Sequence, residues 1–237
     1  MIKMLHLYYD IMNLYGDYWN IIILKKHLED QGFEVLLDKK TIGEDVTIED
    51  YDFIFIGSGT ERNLDVVLND IKKYEENLKE YIDKEKVILL TGNSFEMFGK
   101  SIDDKEALKI FDYETKREKD RTTSDVIYKS QFLENKVVGF VNKCTKIYHN
   151  NSPFFEVEFG VGENENNDYE GVKYKNLYGT HVSGPILVRN PEFLEMIVEL
   201  ICKKRNKDFK CKEIEYKNEK EGYELVLGEL EKRKESK

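Results

Sequence analysis

Residues 87–99, VILLTGNSFEMFG, are the stretch whose residue types and spacing point most directly to chemistry. Val87, Ile88, Leu89 and Leu90 read as a buried strand, Thr91-Gly92-Asn93-Ser94 as a tight turn, and a helix begins after it. In α/β enzymes that geometry is a nucleophile elbow. The turn lifts one side chain above the sheet edge, and backbone N–H groups at the helix start face a developing oxyanion. Here the apex offers no obvious nucleophile. Gly92 to Glu96 comes close to GxSxG, but the final glycine is missing. Ser94 falls in the first helical turn, where a capping serine is the ordinary reading. Gly57-Ser58-Gly59 is a second turn that lets backbone approach a ligand closely.

The elements around these turns alternate between strand and helix. Residues 2–9, 33–37, 52–56 and 87–90 read as strands, with helices expected over 18–31 and 64–83. The first helix has Trp19, Ile22, Ile23 and Leu28 at roughly helical spacing and closes at Gly32. Such βα alternation predicts a mostly parallel sheet with helices on both faces. The later chain follows a different pattern, in which residues 125–129, 137–142, 145–148 and 154–159 read as short strands, some antiparallel. A helix is expected over 191–204, with Pro191 early in its first turn. Two parts are expected, residues 1–205 as one domain and 206–237 as a charged tail. Residues 221–234 of that tail suit a docking helix with Tyr223, Leu225, Leu227 and Leu230 on its apolar side.

Composition narrows the partners. The chain has 237 residues and a net charge of −10, which speaks against nucleic acid. Cys144, Cys202 and Cys211 show no CxxC spacing, so neither a disulfide framework nor a zinc site is expected. No signal peptide and no apolar run of roughly 18–20 residues is evident, which predicts a soluble, cytoplasmic protein away from the membrane. There is no GxxxxGK[ST] loop, so ATP would belong to a partner. No cofactor and no metal cluster is expected.

Several fragments, in order, resemble one family. These are YYDIMNLYGDYWNIIILKKHLEDQGFEV at the start, GSGTER after the third strand, and ALKIFDYETKREKDRTTSDVIY after the elbow. GFVN, FGVGENENNDYEGVKYKNLYGTH and SGPILVRNPEF follow. Together they resemble the cobyric-acid-synthase-like branch of the class I glutamine amidotransferases. Within it they are most similar to the subunit type that pairs with a Mur-ligase-like protein to amidate lipid II in peptidoglycan synthesis. The resemblance spans roughly residues 5–204 and implies a flavodoxin-like three-layer fold with a small antiparallel portion.

Such enzymes hydrolyse the side-chain amide of glutamine with a cysteine thiolate at the elbow and a histidine just before a Gly-Pro. Carried over residue by residue, the resemblance places Gly92 at the cysteine position and Ser183 at the histidine position. Both catalytic side chains are therefore expected to be absent. Glu96 replaces a glutamine-type residue on the elbow helix. Gly57, Ser58, Gly59, Asn93, Glu96 and Arg121 fall where substrate is bound; Arg121 suits either an α-carboxylate or a surface salt bridge. His181, two residues from the family's histidine, and Ser94 are the substitutes on offer. Asp10, Asn13, Tyr15, Gly16, Asp17 and Asn20 of the opening motif read as loop and capping residues.

The expectation is a scaffold that has lost its chemistry and serves as a binding or partner subunit of a Mur-ligase-like, ATP-dependent ligase. Glutamine or a related small metabolite is its expected ligand. The competing expectations are a working glutamine amidotransferase that supplies ammonia to that partner, or a hydrolase using Ser94 and His181. An unrelated ligand-binding role on the same fold is the third. Loss of both nucleophile and base, in separately anchored motifs, fits the first.

Overall fold

In this computed structural model, which describes residues 1–236, one continuous sheet orders the chain. Its strands are β1 (Ile2–Leu7), β2 (Val35–Lys40), β3 (Phe53–Ile56), β4 (Val87–Thr91), the short β5 (Ser101–Ile102) and β6 (Lys105–Glu106), and β7 (Glu114–Lys129). They continue with β8 (Val137–Tyr148), β9 (Pro153–Phe159), β10 (Tyr169–Tyr174), β11 (Leu177–Thr180) and β12 (Val182–Ser183). The spatial order is β12-β8-β7-β9-β10-β11-β4-β3-β1-β2, with β5 and β6 beside β7. From β11 to β2 neighbouring strands run parallel; β7, β8, β9, β10 and β12 form the antiparallel part.

The parallel strands are buried on both faces, so alternate residues enter different cores. Ile88 and Leu90 of β4 pack in one apolar cluster with Ile54 and Ile56 of β3, while Val87 and Leu89 join Phe53 and Phe55 in the other. The helices are α1 (Tyr18–Asp30), α2 (Glu61–Ile71), α3 (Glu75–Asp83), α4 (Ile186–Arg189), α5 (Pro191–Arg205) and α6 (Lys217–Glu235). No helix of the described residues is long and apolar enough to cross a membrane.

Three expectations change in detail. The helix expected over 64–83 is two helices separated by a 3-10 turn at Lys72–Tyr74, and α2 begins earlier because the Thr60 hydroxyl caps the Asn63 N–H at 3.1 Å. Of the apolar positions expected in α1, Leu28 is buried but Trp19 is 58% exposed, and Asn20, Ile21, Leu24 and His27 are buried beside Leu28. Asn20 Oδ1 accepts the Leu187 N–H at 2.9 Å, and His27 stacks on Tyr216, so polar side chains with distant partners define the buried face. β7 begins at Glu114 rather than near 125, because its exposed, charged first half is held by the backbone ladder to β8 and carries no apolar alternation.

The C-terminal helix α6 lies on the antiparallel part. Leu230, with Tyr223 and Leu227, packs on Ile127, Val138 and Phe159. The Tyr223 hydroxyl donates to the Lys136 carbonyl at 2.8 Å, and Lys234 pairs with Glu158. Leu225, expected on this apolar side, is 76% exposed. In chemical denaturation, Leu230→Ala is expected to lower the unfolding free energy by about 2 kcal/mol. Leu225→Ala should stay within about 0.5 kcal/mol. The reverse ranking would mean that α6 docks through another face.

Candidate functional site

The site is built where three connections meet at one end of the parallel strands: the loop after β1, the turn after β3 and the turn after β4. Ligand sites in open α/β sheets gather at that end. β3 and β4 run in register, with Ile56 opposite Leu90, so the turns that follow them are forced side by side. After β4 the chain enters a 3-10 helix at Gly92–Phe98 rather than the α-helix expected from sequence. Gly92 opens it with φ +61, a backbone conformation that disfavours any Cβ.

Space at Gly92 is as restricted as its backbone. A Cβ built there would lie 2.1 Å from the Ser58 Cβ. Ser58 is fixed in turn by Asp17, whose Oδ2 accepts both the Ser58 N–H and the Ser58 hydroxyl, each at 2.6 Å. The Thr91 hydroxyl donates to the same oxygen at 3.0 Å. Asp17 is fully buried, and burial pushes its carboxyl up to about 6 although the Ser58 and Thr91 hydrogen bonds favour the carboxylate. Expected to act as a capping residue, Asp17 makes no side-chain cap to α1 and instead ties three segments together.

The glycine turn at 57–59 is close-packed. A Cβ at Gly57 would meet the Met12 carbonyl at 2.5 Å, and one at Gly59 the Met12 Sδ at 2.3 Å. Its N–H groups, expected where backbone approaches a ligand, are already used at two of the three positions. The Ser58 N–H donates to Asp17, and the Gly59 N–H donates to Asn93 Oδ1 at 3.0 Å. Asn93 returns a bond from Nδ2 to the Gly59 carbonyl at 3.0 Å. Its amide therefore joins the two turns.

Ser183 comes from β12, paired with Phe140 of β8. Its hydroxyl donates to the His181 carbonyl at 3.3 Å. Ser183, Gly92, Ser58, Asn93 and Glu96 line one cavity of about 70 Å³. His181 is buried behind it, with Nε2 at 3.0 Å from Glu96 Oε1 and Nδ1 at 3.2 Å from Glu170 Oε1. Glu170 also accepts the His181 N–H and the Thr180 hydroxyl, both at 2.7 Å. No hydrogen bond joins Ser94 to His181. The Ser94 hydroxyl is fully buried and donates to the carbonyls of Ile56 and Thr91 at 2.9 and 2.8 Å, so the proposed nucleophile is a backbone clamp here.

Arg121 stands at the rim. Its guanidinium pairs with Glu61 and donates to Asn142 Oδ1 at 3.1 Å. The cavity also receives Cys144, which the sequence reading weighed only for disulfide or zinc spacing. The Cys144 thiol donates to Glu61 Oε1 at 3.0 Å; burial and that carboxylate push it up to about 11, away from a reactive thiolate. The strand alternation carried the missed signal: in β8, Lys143 and Thr145 are buried and Asn142 and Cys144 are partly exposed, and all four line the cavity. Deeper in, burial pushes Lys143 down, and its Nζ donates to the carbonyls of Gly162 and Glu163 at 2.6 and 3.0 Å. Glu163 is pushed up to about 7 by burial, with Asn150 as its hydrogen-bond partner.

Comparison with known proteins agrees with this architecture. Residues 3–191 match the CobB/CobQ-like glutamine amidotransferase domain. The chain is 30% identical over 236 residues to the Staphylococcus aureus lipid II isoglutaminyl synthase (glutamine-hydrolyzing) subunit GatD, covering 98% of this chain and 97% of that protein. It is 28% identical to the Streptococcus pneumoniae subunit of the same name, covering 84% of this chain and 80% of that one. Among solved structures, a glutamine amidotransferase from Thermotoga maritima matches with a TM-score of 0.52 at 12% identity, over 97% of this chain and 94% of that one. A second glutamine amidotransferase matches with a TM-score of 0.53 at 11% identity, over 83% and 98%. At those identities the solved structures speak for the fold alone. A family match over most of the sheet, and relatives aligned across nearly the whole chain, lead to one conclusion: the chain belongs to the CobB/CobQ-like glutamine amidotransferase family.

Proposed function

We propose that this chain is a catalytically silent glutamine amidotransferase-like subunit. In this reading Gly92 and Ser183 stand where the family carries its cysteine and histidine, and neither can perform the step. Amide hydrolysis needs a nucleophile, a base within hydrogen-bond reach and free N–H donors for the oxyanion. One observation carries the reading: the volume into which a residue-92 side chain would project is held by Ser58, whose Cβ lies 2.1 Å from the position of a Cβ at Gly92. A single exchange at the elbow therefore cannot restore the missing group. The Ser58 and Gly59 N–H groups bonded to Asp17 and Asn93 support the same reading, as does a cavity of only about 70 Å³ at this point.

The chain then acts through association. Both curated relatives are named as subunits of a lipid II isoglutaminyl synthase, and this chain aligns with most of each. The partner we assign is a Mur-ligase-like, ATP-dependent ligase in the cytoplasm, and the pathway is peptidoglycan amidation. In that assembly this subunit contributes a binding surface.

Release of glutamate and ammonia from glutamine is the direct test, with the purified chain alone and with the ligase that co-purifies. No release above a protein-free blank is expected in either case. Sustained turnover, abolished by replacing a residue of the cavity, would sink the proposal.

The blocked elbow has its own test in a double-mutant cycle. Gly92→Cys alone is expected to destabilise the chain by about 1–3 kcal/mol, from overpacking and the left-handed backbone. Ser58→Gly is also expected to destabilise, because Asp17 loses a hydroxyl donor in a buried site. Combined, the two should cost less than their sum by about 1 kcal/mol or more, since removing the Ser58 side chain relieves the clash at residue 92. Strict additivity in chemical denaturation would show that Ser58 is not the obstacle.

A further inference from the structure

The last turn of α5 and the segment after it bring two thiols together, although their spacing in the chain matches no metal or redox motif. Cys202 is fully buried in the apolar core beneath α5, while Cys211 is exposed. Beyond α5 the Asn206 N–H donates to the Cys202 carbonyl at 2.9 Å, and the Phe209 N–H donates to the Asn206 carbonyl at 2.9 Å. These turns fold the chain back along α5. Cys211 therefore lines a cavity of about 850 Å³ together with Val198 and Glu199, which stand one helical turn before Cys202.

The Cys202 thiol donates a hydrogen bond to the Cys211 sulfur, and that bond divides the roles of the pair. Burial pushes Cys202 up to about 12, so it keeps its proton. Burial and Glu199 also push Cys211 up, but the bond from Cys202 and the Lys203 ammonium favour its thiolate. Cys211 is thus the thiol that a reagent reaches and the more readily ionised of the two. The segment around it, residues 206–216, forms neither helix nor strand and is attached through side chains. Phe209 packs on Phe33, and Gln31 exchanges two hydrogen bonds with the Lys212 backbone, at 2.7 and 3.1 Å. The Tyr216 ring stacks on His27, and its hydroxyl donates to Asp30 at 2.8 Å.

We propose that Cys202 and Cys211 form a reversible disulfide that fastens this segment to α5, made by exchange with a low-molecular-weight disulfide. The Cys211 thiolate attacks one sulfur of the external disulfide, forms a mixed disulfide and releases one external thiolate, which takes up the proton that Cys211 lost. The Cys202 thiolate then attacks the Cys211 sulfur. The bond within the chain forms, and the second external thiolate leaves and takes up the Cys202 proton. Two protein thiols are oxidised and one external disulfide is reduced to two thiols. Closing the ring of residues 202–211 restricts the unfolded chain, which makes the oxidised form the more stable one. The pair lies outside the cavity at the elbow, so the inference holds whether or not that site is silent.

The test treats the full chain with oxidised glutathione, blocks the remaining thiols and maps the bonds by mass spectrometry. A Cys202–Cys211 bond within one chain is expected, with Cys144 left free, and dithiothreitol should reverse it. The rate should rise about tenfold per pH unit, as the thiolate fraction does below the thiol's pKa. Cys202→Ala is expected to stop at the mixed disulfide on Cys211, and Cys211→Ser to form neither bond. Should Cys202→Ala fail to fold, Cys211→Ser, at an exposed position, still decides. A bond formed within that variant overturns the proposal. In the unaltered chain, a glutathione adduct that persists on Cys211, a bond between two copies, a bond to Cys144 or no reaction overturns it as well. The oxidised chain is expected to unfold at a midpoint about 5 °C higher than the reduced one. An equal or lower midpoint would show that the bond does not fasten the segment.

Discussion

The site depends on one buried carboxylate. Asp17 Oδ2 accepts from the Ser58 N–H, the Ser58 hydroxyl and the Thr91 hydroxyl, and so joins the start of α1 to the ends of β3 and β4. Burying a carboxylate is costly, and its rise to about 6 records that cost. The bonds it makes hold Ser58 against Gly92 with no room between them. A bare residue at the apex, a filled space beside it and two occupied N–H groups are thus consequences of one arrangement.

A second polar cluster binds the two parts of the sheet. Glu96, from the 3-10 helix after β4, meets Thr145 of β8 and the His181 ring, and Glu170 of β10 holds His181 from the other side. Polar networks of this kind rigidify a core, because each partner left unpaired is penalised in a low-dielectric interior. Here the network closes the cavity from behind. The rim is closed by Arg121, Glu61 and Cys144, all bonded to one another or to Asn142. What remains is a small polar space with Glu96 among its lining residues.

This differs from what amide hydrolysis requires. An acyl-transfer site keeps its donors unoccupied until charge develops on the substrate and keeps its thiol acidic. In this chain the Ser58 and Gly59 N–H groups are bonded in the resting structure, and the Cys144 thiol at the cavity is pushed up rather than down. Family membership and the silent role proposed above are compatible for a physical reason. The fold rests on two apolar cores either side of the sheet, and neither core includes the residue at the elbow apex.

The sequence by itself determined the class of fold, the succession of parallel strands along the chain and the elbow's position, because those follow from apolar runs and turn residues that act locally. β3 and β4 are legible as FIFI and VILLT, and glycine at 92 takes φ +61 at the least steric cost. Lys72–Tyr74, where the long helix breaks, and the charged half of β7 were not legible, since neither has an apolar period. The roles of Asp17, Ser94, Asn20 and Cys144 were decided only by tertiary structure. Their partners lie from 3 to 167 residues away, counting Ser94 with Thr91 and Asn20 with Leu187 as the extremes. A hydroxyl or carboxylate carries no sign in the sequence of whether it will cap a helix, clamp a carbonyl or serve as a nucleophile. That is settled by which donors and acceptors the sheet brings within hydrogen-bond reach once the chain is folded.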